Sequence, residues 1–230
     1  MKSKQSGFTL VEIAIVLVII GLLLGGVLKG QELINSAKVK NFATDFRNIP
    51  LFIYGYQDKY KALPGDHATV TTAITGSTKA TTPTTSGGNA CVASLCQGNG
   101  VIDGKWDTVT VTDETALFWQ HARLAGLAAG PTSTADATYF PTNADGGRIG
   151  IESGSAATGG AYISGMTPTY MLCSSGILGK YAKQLDTTLD DGNTATGSMR
   201  VVTATHTRGN AAVATTSVDD SSSFIVCMGL

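Results

Sequence analysis

At 230 residues, with 43% hydrophobic and 14% charged side chains and a formal net charge of -1, the chain is long enough to bury a sizeable core, as one domain or a small domain with additions. Near-neutral charge supplies no basic field to attract nucleic acid, so composition implies no nucleic-acid partner. The charge fraction lies well below the roughly 25% of ordinary soluble domains, and the shortfall is local: one long uninterrupted apolar run, Phe8 to Leu28, precedes a sequence that reads as soluble.

Residues 1–7 carry Lys2 and Lys4 and no apolar core, which is too short and too polar for a whole secretory signal. Phe8 to Leu28 then supplies 21 residues with one charge, Glu12. At about 1.5 Å rise per residue such a helix spans roughly the 30 Å hydrocarbon core of a bilayer. No small-residue cleavage site precedes the polar segment from Lys29 to Lys40, so the apolar helix is expected to be retained. An ionised Glu12 in hydrocarbon costs several kcal/mol. Since no Lys, Arg or His occurs between Phe8 and Leu28, its neutralising cation is expected from another molecule or from a newly created charge.

Gly7-Phe8-Thr9-Leu10-Val11-Glu12, after a short basic leader and before an unbroken apolar helix, resembles the prepilin cleavage and methylation motif of type IV pilins and type II secretion pseudopilins. The resemblance implies cleavage between Gly7 and Phe8 by a membrane prepilin peptidase that also N-methylates the new terminus. It implies insertion in the bacterial inner membrane with the head in the periplasm, extraction by an assembly ATPase and platform protein, and polymerisation with copies of itself or other pilins into a pilus or pseudopilus filament. Cleavage would create the missing cation, and Glu12 of one subunit could then pair with the amino group of Phe8 on its neighbour. Such a buried pair sets register more than it adds stability. Lysines flank both ends of the apolar run, so orientation rests on the resemblance.

Val39, Phe42, Phe46, Ile49, Ile53, Tyr56 and Tyr60 recur every three or four residues, an apolar stripe on one helix face. Leu63-Pro64-Gly65-Asp66 is a strong stop. Pro50 lies within the stripe and predicts a kink or break near Asn48. The organisation expected is a leader (1–7), a membrane and polymerisation helix (8–28), an amphipathic extension (29–62) and a globular head (63–230).

Thr69 to Asn89 is rich in Thr, Ser and Ala and reads as polar surface, a poor source of core residues. Asp113 is placed as the N-cap of a helix through Leu117, His121 and Leu124 to Gly126. Leu178, Tyr181, Leu185 and Leu189 fit a second short helix. Arg148 to Glu152, Thr169 to Cys173, Met199 to Ala204 and Phe224 to Met228 read as short strands. The fold class expected is α+β: a long N-terminal helix packed on a head with an antiparallel sheet, a pilin-like arrangement. Trp106, Phe118 and Trp119 are assigned to its core.

Four cysteines, Cys91, Cys96, Cys173 and Cys227, allow three pairings. The favoured one joins Cys91 to Cys96 across a short loop and Cys173 to Cys227 across two apolar strands, in a compartment where disulfides persist. Zinc is disfavoured, because there is no CxxC pair and no His at ligand spacing. Asn99, Asp103, Asp186, Asp190 and Asp191 form a candidate oxygen-ligand set for calcium, as acidic loops do in some major pseudopilins; the competing reading is turn formation beside glycine. Ala62-Leu63-Pro64-Gly65-Asp66, Gly98 to Asp103 and Leu189 to Gly192 also resemble short turns of one group of pilin-like proteins. His67, His121 and His206 are scattered, and no fingerprint pairs a nucleophile with a base, so no enzymatic activity is expected. The alternative to a filament subunit is a monomeric membrane-tethered binding or adhesin-like module using the same export signal. In that case Glu12→Ala would leave function intact.

Overall fold

The computed structural model describes residues 10–81, 97–154 and 160–230. The chain divides into two units, 1–40 and 41–230, and helix α1 (Leu10–Tyr60) contributes to both. The elements that follow are α2 (Val70–Ala73), α3 (Glu114–Leu124), β1 (Ile149–Ser153), β2 (Tyr170–Leu178), α4 (Gly179–Leu189), β3 (Met199–Thr203) and β4 (Ser223–Gly229).

In the larger unit, the stripe on α1 is the spine of the core. Phe42, Phe46, Ile49, Ile53 and Tyr56 are all buried, while Leu51 and Tyr54 on the other side of the helix are exposed. The period of 3.6 residues makes that division. Phe42 meets Tyr181 of α4 with ring centroids 6.1 Å apart, and Tyr56 stacks on His121 of α3 at 6.2 Å. The helix runs without a break through Pro50, so of the kink or break expected near Asn48 the break does not occur. Proline removes one backbone donor, but Phe46, Ile49 and Ile53 are buried on both sides of it. Each large side chain buried contributes about 1.5–3 kcal/mol, enough to hold the helical path.

Tyr60 ends α1, and Lys61 follows with φ 55°. A second sequence expectation is corrected here. The Thr-rich stretch after Thr69 is not purely surface, because Val70, Ile74 and Ala80 are buried. Val70, the first residue of the single turn α2, and Ile74, the residue just after it, close on Tyr56 of α1. The wider composition hid this short signal.

The sheet is antiparallel throughout, in the order β1-β2-β4-β3. One face carries Met171, Cys173, Ile225, Cys227 and Val202, packed with Trp106, Tyr162, Ile163 and Met166. Alternation of side chains puts Leu172, Val226 and Val201 on the other face, and these are buried as well; α4 packs on β2, β3 and β4. The strands occupy the four segments the sequence indicated, but β2 extends to Leu178. Its register shifts between Ser174 and Ile177, where Gly176 has φ 74°. This bulge returns Ile177 to pairing with Phe224. Phe118 and Trp119 are buried on α3 and Trp106 on the loop before it.

Candidate functional site

The first unit presents α1 as a rod of apolar side chains. From Leu10 to Leu28 the large hydrophobic residues are 45% to 87% exposed, and the most apolar 18-residue window has a mean hydropathy of 2.8 with none of it buried. Single exposed apolar residues are ordinary, but a surface apolar on every side calls for lipid or other helices as its surroundings. Among the described residues α1 is the helix long and apolar enough to cross a membrane. Glu12 lies in its first turn, where the positive end of the helix dipole favours a carboxylate. Gly7 and Phe8 lie outside the described residues.

Cys173 and Cys227 are directly opposed on β2 and β4 and form a disulfide. The favoured pairing is present for this couple. Cys91 and Cys96, with the bond expected between them, lie outside the described residues.

The five candidate metal ligands separate into two places. Asn99 Nδ2 donates to Asp103 Oδ2 at 3.1 Å, and Asn99 Oδ1 accepts the Val101 N–H at 2.7 Å. Both ends of the Asn99 side chain thus shape the turn, as the turn-forming reading has it. Asp186, Asp190 and Asp191 come together at the end of α4, with one carboxylate oxygen from each lying within 4.8 Å of the others. Asp103 is not in that group.

Asp66 organises the Gly98–Gly100 turn, a role the sequence left unassigned. Its carboxylate accepts the backbone N–H groups of Gly98, Asn99 and Gly100. Burial nevertheless pushes its carboxyl up to about 6, against the pull of those three amides. Glu114, the first residue of α3, is fully buried. Its Oε2 accepts the Asp103 N–H at 2.8 Å, while Oε1 has no hydrogen-bond partner. Burial first, then the nearby carboxylates of Asp66, Asp103 and Asp113, raise it to about 9, so it is a neutral acid at physiological pH. A signal existed in the acids bunched at Asp103, Asp113 and Glu114, but only folding brings Asp66 to them.

His121 is a satisfied core residue. Its Nδ1 accepts the Gly65 N–H at 2.9 Å and its Nε2–H donates to the Thr78 carbonyl at 2.8 Å. Burial pushes it down to about 4, which keeps the ring neutral. His67 Nδ1 pairs with the Tyr56 hydroxyl at 2.7 Å. His206 Nε2 donates to the Tyr162 carbonyl at 2.9 Å. All three rings serve the packing of the head, as scattered histidines usually do.

Residues 2–28 match the family described as Prokaryotic N-terminal methylation motif. Neither a curated protein nor a solved structure matches the chain. Families with this motif are structural, and the motif implies processing by prepilin peptidase, membrane anchoring and filament assembly. With the apolar α1 and the antiparallel sheet of the head, residues 2–28 carry the export signal of a type IV pilin-like prepilin, consistent with the type IV pilin and pseudopilin family.

Proposed function

We propose that the chain is a structural subunit of a type IV pilus or type II secretion pseudopilus, cleaved after Gly7, N-methylated at Phe8 and polymerised through α1. The observation that carries this reading is the methylation motif seated on a helix whose apolar surface is exposed on every side. In a filament that surface is covered by the same helix of neighbouring subunits. The amino group of Phe8 on one subunit meets Glu12 of the next and sets the axial register.

The leader is residues 1–7, the polymerisation helix 8–28, its extension 29–62 and the head 63–230. Before assembly the helix is anchored in the inner membrane with the head in the periplasm. The partners are prepilin peptidase, the platform protein, the assembly ATPase and further copies of the chain or other pilins. The head works as a packing module without enzymatic activity.

N-terminal sequencing and mass analysis of fibres sheared from cells test this proposal. Methylated Phe8 at the start of the recovered chain is the expected result. Glu12→Ala is expected to be processed normally but not incorporated. Native protein that keeps residues 1–7, or that is always recovered as single subunits, would overturn the reading and favour a membrane-tethered binding module.

A further inference from the structure

Asn99 is the one asparagine of this chain that glycine follows. An asparagine so placed carries its own reagent, because the backbone nitrogen of the next residue can attack the side-chain amide, and glycine has no side chain to obstruct the approach. Asn99 and Gly100 are both exposed, so water and hydroxide reach them. Three contacts oppose the reaction. The Gly100 N–H, whose nitrogen would be the nucleophile, donates to Asp66 Oδ2 at 2.7 Å. Asn99 Nδ2, which would leave as ammonia, donates to Asp103 Oδ2 at 3.1 Å. Asn99 Oδ1 accepts the Val101 N–H at 2.7 Å, which fixes the plane of the side chain. The Gly98 and Asn99 N–H groups bind the other oxygen of Asp66, so that carboxylate is itself held against the turn.

We propose that Asn99-Gly100 is a deamidation site of this protein, kept latent in the folded head by the grip of Asp66 on the Gly100 N–H. Attack requires the Gly100 nitrogen to give its proton to a base in solution and to turn towards Asn99 Cγ. A hydrogen bond to a carboxylate holds that nitrogen in place, and the negative charges of Asp66 and Asp103 disfavour a further anion forming between them. Once released, the nitrogen bonds to Cγ, the Cγ–Nδ2 bond breaks, and the leaving nitrogen takes up a proton and departs as ammonia. Water then opens the cyclic imide to aspartate or, with the main chain rerouted through the side chain, to isoaspartate. Either product replaces the donor that faced Asp103 with a carboxylate, beside Asp66 and next to the pair that Asp103 makes with Glu114. Isoaspartate also lengthens the main chain in a turn that three successive amides hold to one side chain. Deamidation therefore weakens the tie between the turn after α1 and the segment leading into α3.

The test incubates the full chain in detergent at mildly alkaline pH, where Asp66, pushed up to about 6, is ionised. Mass spectrometry of the peptide containing Asn99 reads the conversion of amide to acid. The parent is expected to convert at least about tenfold more slowly when folded than in urea, a comparison that stands whether or not any variant folds. Asp66→Asn keeps an acceptor oxygen but loses the charge, so it is expected to convert several-fold faster than the parent while its far-ultraviolet spectrum stays native. Asp58→Asn, on an exposed carboxylate paired with Lys61 at 3.4 Å, is expected to convert as the parent does. Asn99→Asp, which installs the product carboxylate, is expected to melt below the parent. Equal rates in the folded and unfolded parent overturn the proposal. So does a folded Asp66→Asn chain that converts no faster than the parent, and an Asn99→Asp chain as stable as the parent overturns the weakening of the turn.

Discussion

Asp66 and Gly100 are joined by a 2.7 Å hydrogen bond across a sequence separation of 34. With the Gly98 and Asn99 amides on the same carboxylate, this contact ties the turn after α1 to the start of the segment leading into α3. Three backbone donors depend on one side chain. Asp66→Ala would leave them short of an acceptor, at about 1–3 kcal/mol for each that stays buried and unpaired. Asp66→Asn keeps one carbonyl oxygen and should cost less. Urea denaturation of the full chain in detergent should therefore rank the proteins as parent, Asp66→Asn, then Asp66→Ala.

Glu114 gives the head a pH dependence whose sign follows from its burial. Its carboxyl is raised from 4.5 to about 9 in the folded chain, so the folded state holds a proton that the unfolded chain has released. The resulting stability is complete below about pH 4.5 and is lost as pH rises through about 9. His121 works in the opposite direction, since its lowered affinity for a proton costs stability as pH falls from 6.5 towards 4. The two overlap, so the informative quantity is the difference between the parent and Glu114→Gln. Glu114→Gln should gain on the parent as pH rises from 5 to 9, reaching at least about 1 kcal/mol at pH 8–9. A constant difference across that range would contradict the assignment.

Cys173 and Cys227 bridge paired strands at the centre of the sheet and close a loop with a sequence separation of 54. By loop-closure entropy a bond of that span stabilises by about 4 kcal/mol. β2 and β4 are also held by their own backbone ladder, so a chain without the bond should still form the sheet. Reduction, or the double change Cys173→Ala with Cys227→Ala, should lower stability by about 2–4 kcal/mol. The far-ultraviolet spectrum should stay nearly unchanged before melting.

Long periodic signals were legible from sequence, and contacts closed by folding were not. The stripe from Phe42 to Tyr56 announced a buried helix face, and the run from Phe8 to Leu28 announced the apolar rod. Both repeat often enough to outweigh any one residue, and for that reason Pro50 did not stop α1. The four strand segments were visible in their β-branched and aromatic runs. The continuation of β2 past Cys173 was not, because Ser174, Ser175 and Gly176 look like a turn until Ile177 re-pairs with Phe224. Val70 and Ile74 were lost in a Thr-rich stretch because two apolar residues, one in a single helical turn and one just after it, make too short a signal. At the acidic turn, sequence could gather Asp186, Asp190 and Asp191 by proximity, but not that Asp186 points inward. The grouping of Asn99 and Asp103 with them had composition alone behind it.

Gly65 shows how closely the turn after α1 is fitted to α3. It has φ 91°, a region that side-chain-bearing residues rarely adopt, and a Cβ placed there would lie 2.3 Å from the carbonyl oxygen of Glu114. Its N–H is the donor held by His121 Nδ1. Gly65→Ala must therefore strain the backbone, push against a helix whose N-terminal residues are buried, and loosen the bond from its N–H to His121 Nδ1. The combined cost should exceed about 2 kcal/mol. Ala adds volume where Asp66→Ala removes an acceptor, yet both act on the same turn. In a double-mutant cycle the two losses should therefore sum to more than the double variant shows. Simple additivity would mean that Gly65 and Asp66 do not hold α1 and α3 together as one unit.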